Sequence, residues 1–233
     1  MTNAIKALFV MLLMATSLSA YAQSTTNSIY IDQVGGSSTI NLTQKGQNNK
    51  VGTEQNRFQI QGDSQTINMT QTGNGNSTNG QIIKADNIDY GVTVTGDSNT
   101  LTFDHGDSAS VAGSTLTLGI TGNSNDVSLT QGSTASSTNA DQVISIAGDQ
   151  NTYTSTINAD DVKNRMTFSG DSNTYTMVQN GHTNKEVTST VTGNSNNITV
   201  NQTSTLNVDK IDITHTGNSN TITINQCNAG GSC

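Results

Sequence analysis

One tetrad constrains this chain more than any other feature: a glycine, two small or polar residues, then an amide or serine. It stands at Gly35-Gly36-Ser37-Ser38, Gly62-Asp63-Ser64-Gln65, Gly96-Asp97-Ser98-Asn99 and Gly122-Asn123-Ser124-Asn125. It returns at Gly148-Asp149-Gln150-Asn151, Gly170-Asp171-Ser172-Asn173, Gly193-Asn194-Ser195-Asn196 and Gly217-Asn218-Ser219-Asn220. Successive glycines are 27, 34, 26, 26, 22, 23 and 24 residues apart. A period of this size is the mark of stacked repeats.

Alternation flanks every copy. Two and four residues before the glycine stand pairs such as Phe58/Ile60, Val92/Val94, Leu118/Ile120, Ile144/Ile146 and Met166/Phe168. Five and seven residues after it stand Ile40/Leu42, Ile67/Met69, Leu101/Phe103, Val127/Leu129, Tyr175/Met177, Ile198/Val200 and Ile222/Ile224. The residues between are Thr, Asn, Ser, Asp or Gln almost throughout. A period of two means half-buried strands, and Gly with Asn or Asp between them means a tight turn. One strand-turn-strand unit cannot bury its own apolar face, so the units must stack. The sequence therefore predicts an all-β fold, a β-solenoid of about eight strand-turn-strand coils with cross-β stacking. At ~4.8 Å per coil the column would be roughly 40 Å long. An up-and-down barrel would not need the same residue at the same place in every unit.

Composition agrees with this. Thr, Asn, Ser and Gln make up 110 of 233 residues, with no Pro, no Trp and 11% charged residues. A layered enzyme of this length needs more leucine, aromatic and charged side chains. The net charge of -8 argues against nucleic acid and anionic membrane as partners.

The first 22 residues read as a secretory leader. Lys6 is the basic start, Ala7–Ala15 the short apolar run, and Ala20-Tyr21-Ala22 the small-x-small cleavage site before Gln23. The run is too short to cross a bilayer, and no integral membrane segment follows. The expected organisation is a leader at 1–22, a short segment at 23–28, the eight-repeat solenoid at 29–226 and a cysteine-containing tail at 227–233. Export would place Cys227 and Cys233 where a disulfide can form, either within the tail or between subunits.

In stacked coils Asn99, Asn125, Asn151, Asn173, Asn196 and Asn220 fall in one column, which Ser38 and Gln65 would extend. An amide both donates and accepts, so each can bond to its copy above and below. A second column is expected from Gln44, Gln71, Gln131, Gln179, Gln202 and Gln226. His105 and Ile157 take that place in two repeats.

The half-repeats have a grammar of their own. Ile29, Ile31, Gln33, Gly35, Ser38, Ile40, Leu42 and Gln44 fall at the spacing Gln-x-Gly-x2-Asn-x-Ala-x3-Gln. The opening of that motif is repeated at Gln44-x-Gly46-x2-Asn49, Gln71-x-Gly73-x2-Asn76 and Gln179-x-Gly181-x2-Asn184. The chain thus resembles the curlin repeat proteins, subunits of extracellular functional-amyloid fibres. The resemblance implies export through a dedicated outer-membrane pore, nucleated self-assembly at the cell surface, possession of a nucleator partner, and roles in biofilm matrix and adhesion. In most repeats an apolar residue replaces the first glutamine, for example Ile60, Val94 and Ile146.

Catalysis and cofactors find no support. The Gly-Asp-Ser triplets lie in repeated turns without a consistent histidine partner, so no catalytic residue is assigned. His105, His182 and His215 have no metal-ligand spacing. Asp63, Asp97, Asp149 and Asp171 share one turn position and read as solvated turn residues. Two other readings stand beside the fibre subunit. Outward threonines at 39, 66, 100, 152, 174 and 221, and at 102, 154, 176, 199 and 223, could bind ice; a non-polymerising surface adhesin is the other.

Overall fold

The structure is a computed structural model that describes residues 16–22, 27–34, 36–53, 58–61, 64–73, 75–82, 87–96, 98–105, 113–122, 124–131, 137–139, 141–148, 150–170, 172–180, 184–193, 195–203, 209–217 and 219–227. It is an all-β solenoid. The first sheet holds β1 (Thr16–Ala22), β3 (Ser38–Lys45), β5 (Gln65–Thr72), β7 (Asp89–Thr95), β9 (Thr115–Thr121), β12 (Asp141–Ala147), β15 (Lys163–Ser169), β17 (Glu186–Thr192) and β19 (Lys210–Thr216). The second holds β2 (Asp32–Val34), β4 (Phe58–Gln61), β6 (Thr78–Ile82), β8 (Thr100–His105), β10 (Asp126–Gln131), β13 (Thr152–Ile157), β16 (Thr174–Gln179), β18 (Asn197–Val200) and β20 (Thr221–Ile224). Two short strands, β11 (Ser137–Thr138) and β14 (Ala159–Asp160), pair in a return loop. The chain crosses from one sheet to the other at every step, and each strand lies parallel to its neighbours one coil away.

Alternation puts every second side chain between the two sheets. Ile40, Ile67, Ile120, Ile146, Val127 and Ile198 are almost wholly buried, while Ser145, Thr93 and Thr190 face solvent. An aromatic cluster fills the C-terminal half. Phe168 from one sheet meets Tyr153 and Tyr175 from the other, at ring separations of 5.9 and 5.3 Å. Nearer the N-terminus, Gly80 leaves room for the Phe58 ring, which an added Cβ would meet at 2.4 Å.

The phase of the repeat differs from the sequence expectation in its first two units. β2 and β4 precede the tetrads at 35–38 and 62–65 and belong to the second sheet; β3 and β5 follow them and belong to the first. In the other six units the order is reversed. The first two tetrads therefore turn at the opposite corner, although Gly35 and Gly62 themselves lie outside the described residues. The corner shared along the stack runs through Gly46, Gly73, Gly96, Gly122, Gly148, Gly170, Gly193 and Gly217, so the spacing of 34 disappears and 23 takes its place. The physical reason is a degeneracy. A strand-turn-strand pattern looks alike at either corner of a coil, and period-two alternation cannot say which sheet a strand joins.

β1 lies inside the segment that reads as a leader. It pairs residue by residue with β3, Leu18 opposite Ile40 and Ala20 opposite Leu42. Its alternation of Ser with Leu and Ala is that of a strand.

Candidate assembly surfaces

At the shared corner each coil leans on the one before it. A Cβ built on Gly122, Gly148 or Gly170 would lie 1.5–1.6 Å from the carbonyl oxygen of the preceding corner glycine. The backbones can touch there only because no side chain intervenes. Three residues on, each asparagine turns inward and its Nδ2 donates to Oδ1 of the asparagine in the preceding coil. The ladder runs from Asn49 through Asn76, Asn99, Asn125, Asn151, Asn173 and Asn196 to Asn220, with N···O distances of 2.5–2.6 Å. Asn99, Asn125, Asn151, Asn173 and Asn196 are buried, so each amide exchanges water for its own copy.

Two corrections to the expected columns follow from the phase. Ser38 and Gln65 do not extend the ladder: Ser38 Oγ donates to Gln65 Oε1 at the opposite corner. Asn76 and Asn49 take their places, and the signal was already in the Gln-x-Gly-x2-Asn motifs at 44 and 71. The glutamines likewise split between the two sheets. Gln44 and Gln71 belong to the first, where Gln44 Nε2 lies 3.3 Å from Gln71 Oε1. Gln131 and Gln179 end strands of the second sheet, and Gln202 and Gln226 follow β18 and β20. There Gln179 Nε2 donates to Gln202 Oε1. Gln131 accepts instead from Gln142 at 2.8 Å across the core, and Gln226 donates to the backbone oxygen of Asp209 at 3.1 Å.

Burial raises the phenols of Tyr90, Tyr153 and Tyr175 well above their ordinary value. For Tyr153 a hydrogen bond with Ser155 acts weakly in the opposite sense. One feature escaped sequence reading altogether. Lys185 is fully buried, with Nζ 3.5 Å from Asp209 Oδ1. It follows Asn184 in a return loop whose lengths vary, and no periodic signal marks such a position.

Outward threonines also sort by sheet. Thr102, Ser128, Thr154, Thr176, Thr199 and Thr223 share one column of the second sheet. Thr39 and Thr66 lie on the first sheet, apart from Thr100, Thr152, Thr174 and Thr221, so the expected array is divided. A column not anticipated runs through Thr43, Thr70 and Thr93 and resumes at Thr167, Thr190 and Thr214.

The two ends of the stack differ from its middle. Ile222 and Ile224 are 45% and 47% exposed, although Ile198 and Val200, their partners one coil back, are fully buried. Ile211 and Ile213 on β19 are half-buried. The ladder has a direction as well: the first rung, Asn49, keeps a buried Nδ2 without a hydrogen-bond partner, and among the described residues nothing donates to Oδ1 of the last, Asn220. Cys227 is disulfide-bonded; Cys233, Asp63, Asp97, Asp149, Asp171 and His182 lie outside the described residues. Among the described residues no group of three His, Cys, Asp or Glu is placed to hold a metal ion, and no helix is long and apolar enough to cross a membrane. No protein-family model, curated protein or solved structure matches the chain.

Proposed function

We propose that this protein is the structural subunit of an extracellular, curli-like amyloid fibre, built by end-to-end stacking of solenoids. The observation that carries the reading is the unfinished C-terminal coil. Its apolar residues are exposed in columns that are buried everywhere behind them, and β19 and β20 are the last strands of their sheets. An uncovered strand edge with apolar residues is a template for another chain. The other end has the matching pattern. Continuing the register along the second sheet brings Ile222 to the column of Ile29 and Ile224 to that of Ile31. A second copy placed there would bury Ile222 and Ile224 against Ile29 and Ile31, which are themselves already buried, at 9% and 6% exposure.

In this reading the partners are other copies of the chain, a nucleating subunit and an outer-membrane export pore. The site is the cell surface, and the protein performs no catalysis and needs no cofactor. Electron microscopy of the purified chain diluted from denaturant is the direct test: filaments support the reading, and a lasting β-rich monomer at tens of micromolar rejects it. The threonine column from Thr102 to Thr223 favours one second reading, ice binding. That reading requires a soluble monomer that arrests ice growth.

A further inference from the structure

His215 ends the column that runs from Ala22 through Gln44 and Gln71 and then through apolar residues from Val94 to Val191. It occupies the open C-terminal coil, half-buried, beside the last rung of the amide ladder. Its Nε2 lies 2.6 Å from Asn220 Nδ2 and 2.8 Å from Asn196 Oδ1. The same Asn220 Nδ2 lies 2.6 Å from Asn196 Oδ1.

These two contacts of Nε2 exclude one another. Bonding to Asn220 needs a lone pair on Nε2, because the amide nitrogen only donates. Bonding to Asn196 needs a proton on Nε2, because Oδ1 only accepts. A neutral imidazole with its proton on Nδ1 accepts one hydrogen of Asn220 Nδ2 and leaves the other for Asn196. The terminal amide is then held with its nitrogen inward and its oxygen free for the next rung. An imidazolium has no lone pair. It competes for Asn196 Oδ1 and repels the Asn220 amino group.

We infer that His215 is a proton switch on the terminal rung, and that its protonation closes the C-terminal face to the next copy. The inference rests on the end-to-end reading above and adds the group that regulates it. No neighbouring charge opposes the switch. β17 brings Glu186, which is 3.2 Å from Lys210 at the start of the sheet. β19 itself carries Lys210 and Asp212, which alternate with the inward residues and face solvent. The corner Gly193–Asn196, β18 and β20 bring no charged side chain. Stacking would also enclose the imidazole against Val191 and the incoming coil, where a charge would have no partner.

The test is seeded elongation of the purified full chain, followed by dye fluorescence at about pH 5.5 and about pH 7.5, the range over which histidine serves as a charge switch. Elongation should be about tenfold slower at the lower pH. His215→Gln cannot titrate and should bring the two rates within about twofold, while His105→Gln should keep the wild-type difference. Circular dichroism of each monomer shows whether a variant has simply failed to fold, and His215→Asn then serves as the second non-titrating chain. If wild type and His215→Gln elongate with the same pH dependence, the switch is overturned and the fibre reading stands. If no chain elongates at either pH, the fibre reading fails and the switch fails with it.

Discussion

At the shared corner a carbonyl oxygen occupies the place where the next glycine would carry a side chain. A Cβ on Gly148 would stand 1.5 Å from Gly122 O, and backbone cannot move aside without separating two coils. Gly148→Ala is therefore expected to destabilise by more than about 3 kcal/mol, measured by denaturant melts of freshly diluted chain. Gly119 has nothing within 4 Å of such a Cβ. Gly119→Ala should gain about 0.5–1 kcal/mol, since glycine in a strand interior carries an entropic cost. Equal losses at the two sites would refute the corner contact. A second pair tests which way the strands face. Ile146 is fully buried and Ser145 exposed. Ile146→Asp should cost several kcal/mol because the charge finds no partner, whereas Ser145→Asp should change stability little. A reversed order would mean a register one residue out, which exchanges the faces of a strand.

Elements gain their stability from repetition of register. Asn151 is fully buried between Asn125 and Asn173, so Asn151→Ala leaves an acceptor on one side and a donor on the other without partners. Each orphan costs about 1–3 kcal/mol, and a denaturant midpoint should fall accordingly while Asn196 and Asn220, two and three coils away, keep their bond. The core strands also set an alkaline limit. Tyr90, Tyr153 and Tyr175 resist ionisation while buried, chiefly through desolvation. Because their folded pKa values are raised, their contribution is complete below the ordinary value of ~10 and is lost as pH rises beyond it. Phenolate absorbance from these residues should appear only together with loss of β circular dichroism. Most of this was legible from the sequence, and the reason is specific. Alternation at Ile144/Ile146 or Val92/Val94 identifies a strand, its buried face and its place in a repeat. What alternation does not carry is the sheet to which a strand belongs, which is why nothing in the pattern shows that β2 and β4 join the second sheet and β3 and β5 the first. Asn49 and Asn76 entered the ladder unannounced for the same reason. Lys185 and the contacts of His215 were not legible at all, because they depend on which residues the return loops bring together in space.

Among its described residues the molecule is a column whose apolar interior is finished except at the C-terminal coil. Within it, every apolar column is closed by a neighbour above and below; at β20 that closure stops with Ile222 and Ile224 in water. Replacing these two residues by Ser or Asp should leave the monomer's fold nearly intact, since they gain little burial in it, yet should slow polymerisation by tenfold or more. Equal elongation rates for the variant and the wild type, followed by light scattering, would remove the C-terminal face from the account. The tail offers a further check on assembly. Non-reducing electrophoresis of dissolved fibres should give monomers if Cys227 closes a loop with Cys233, and a linked series if it joins neighbouring subunits. The central claim, that copies stack coil upon coil along one axis, is tested most directly by X-ray diffraction from aligned filaments of the purified chain. The account predicts a meridional reflection at ~4.7–4.8 Å, the rise from one coil to the next running unbroken through the joints between copies. Filaments without that meridional repeat, or a chain that stays monomeric and β-rich when seeded, would contradict it.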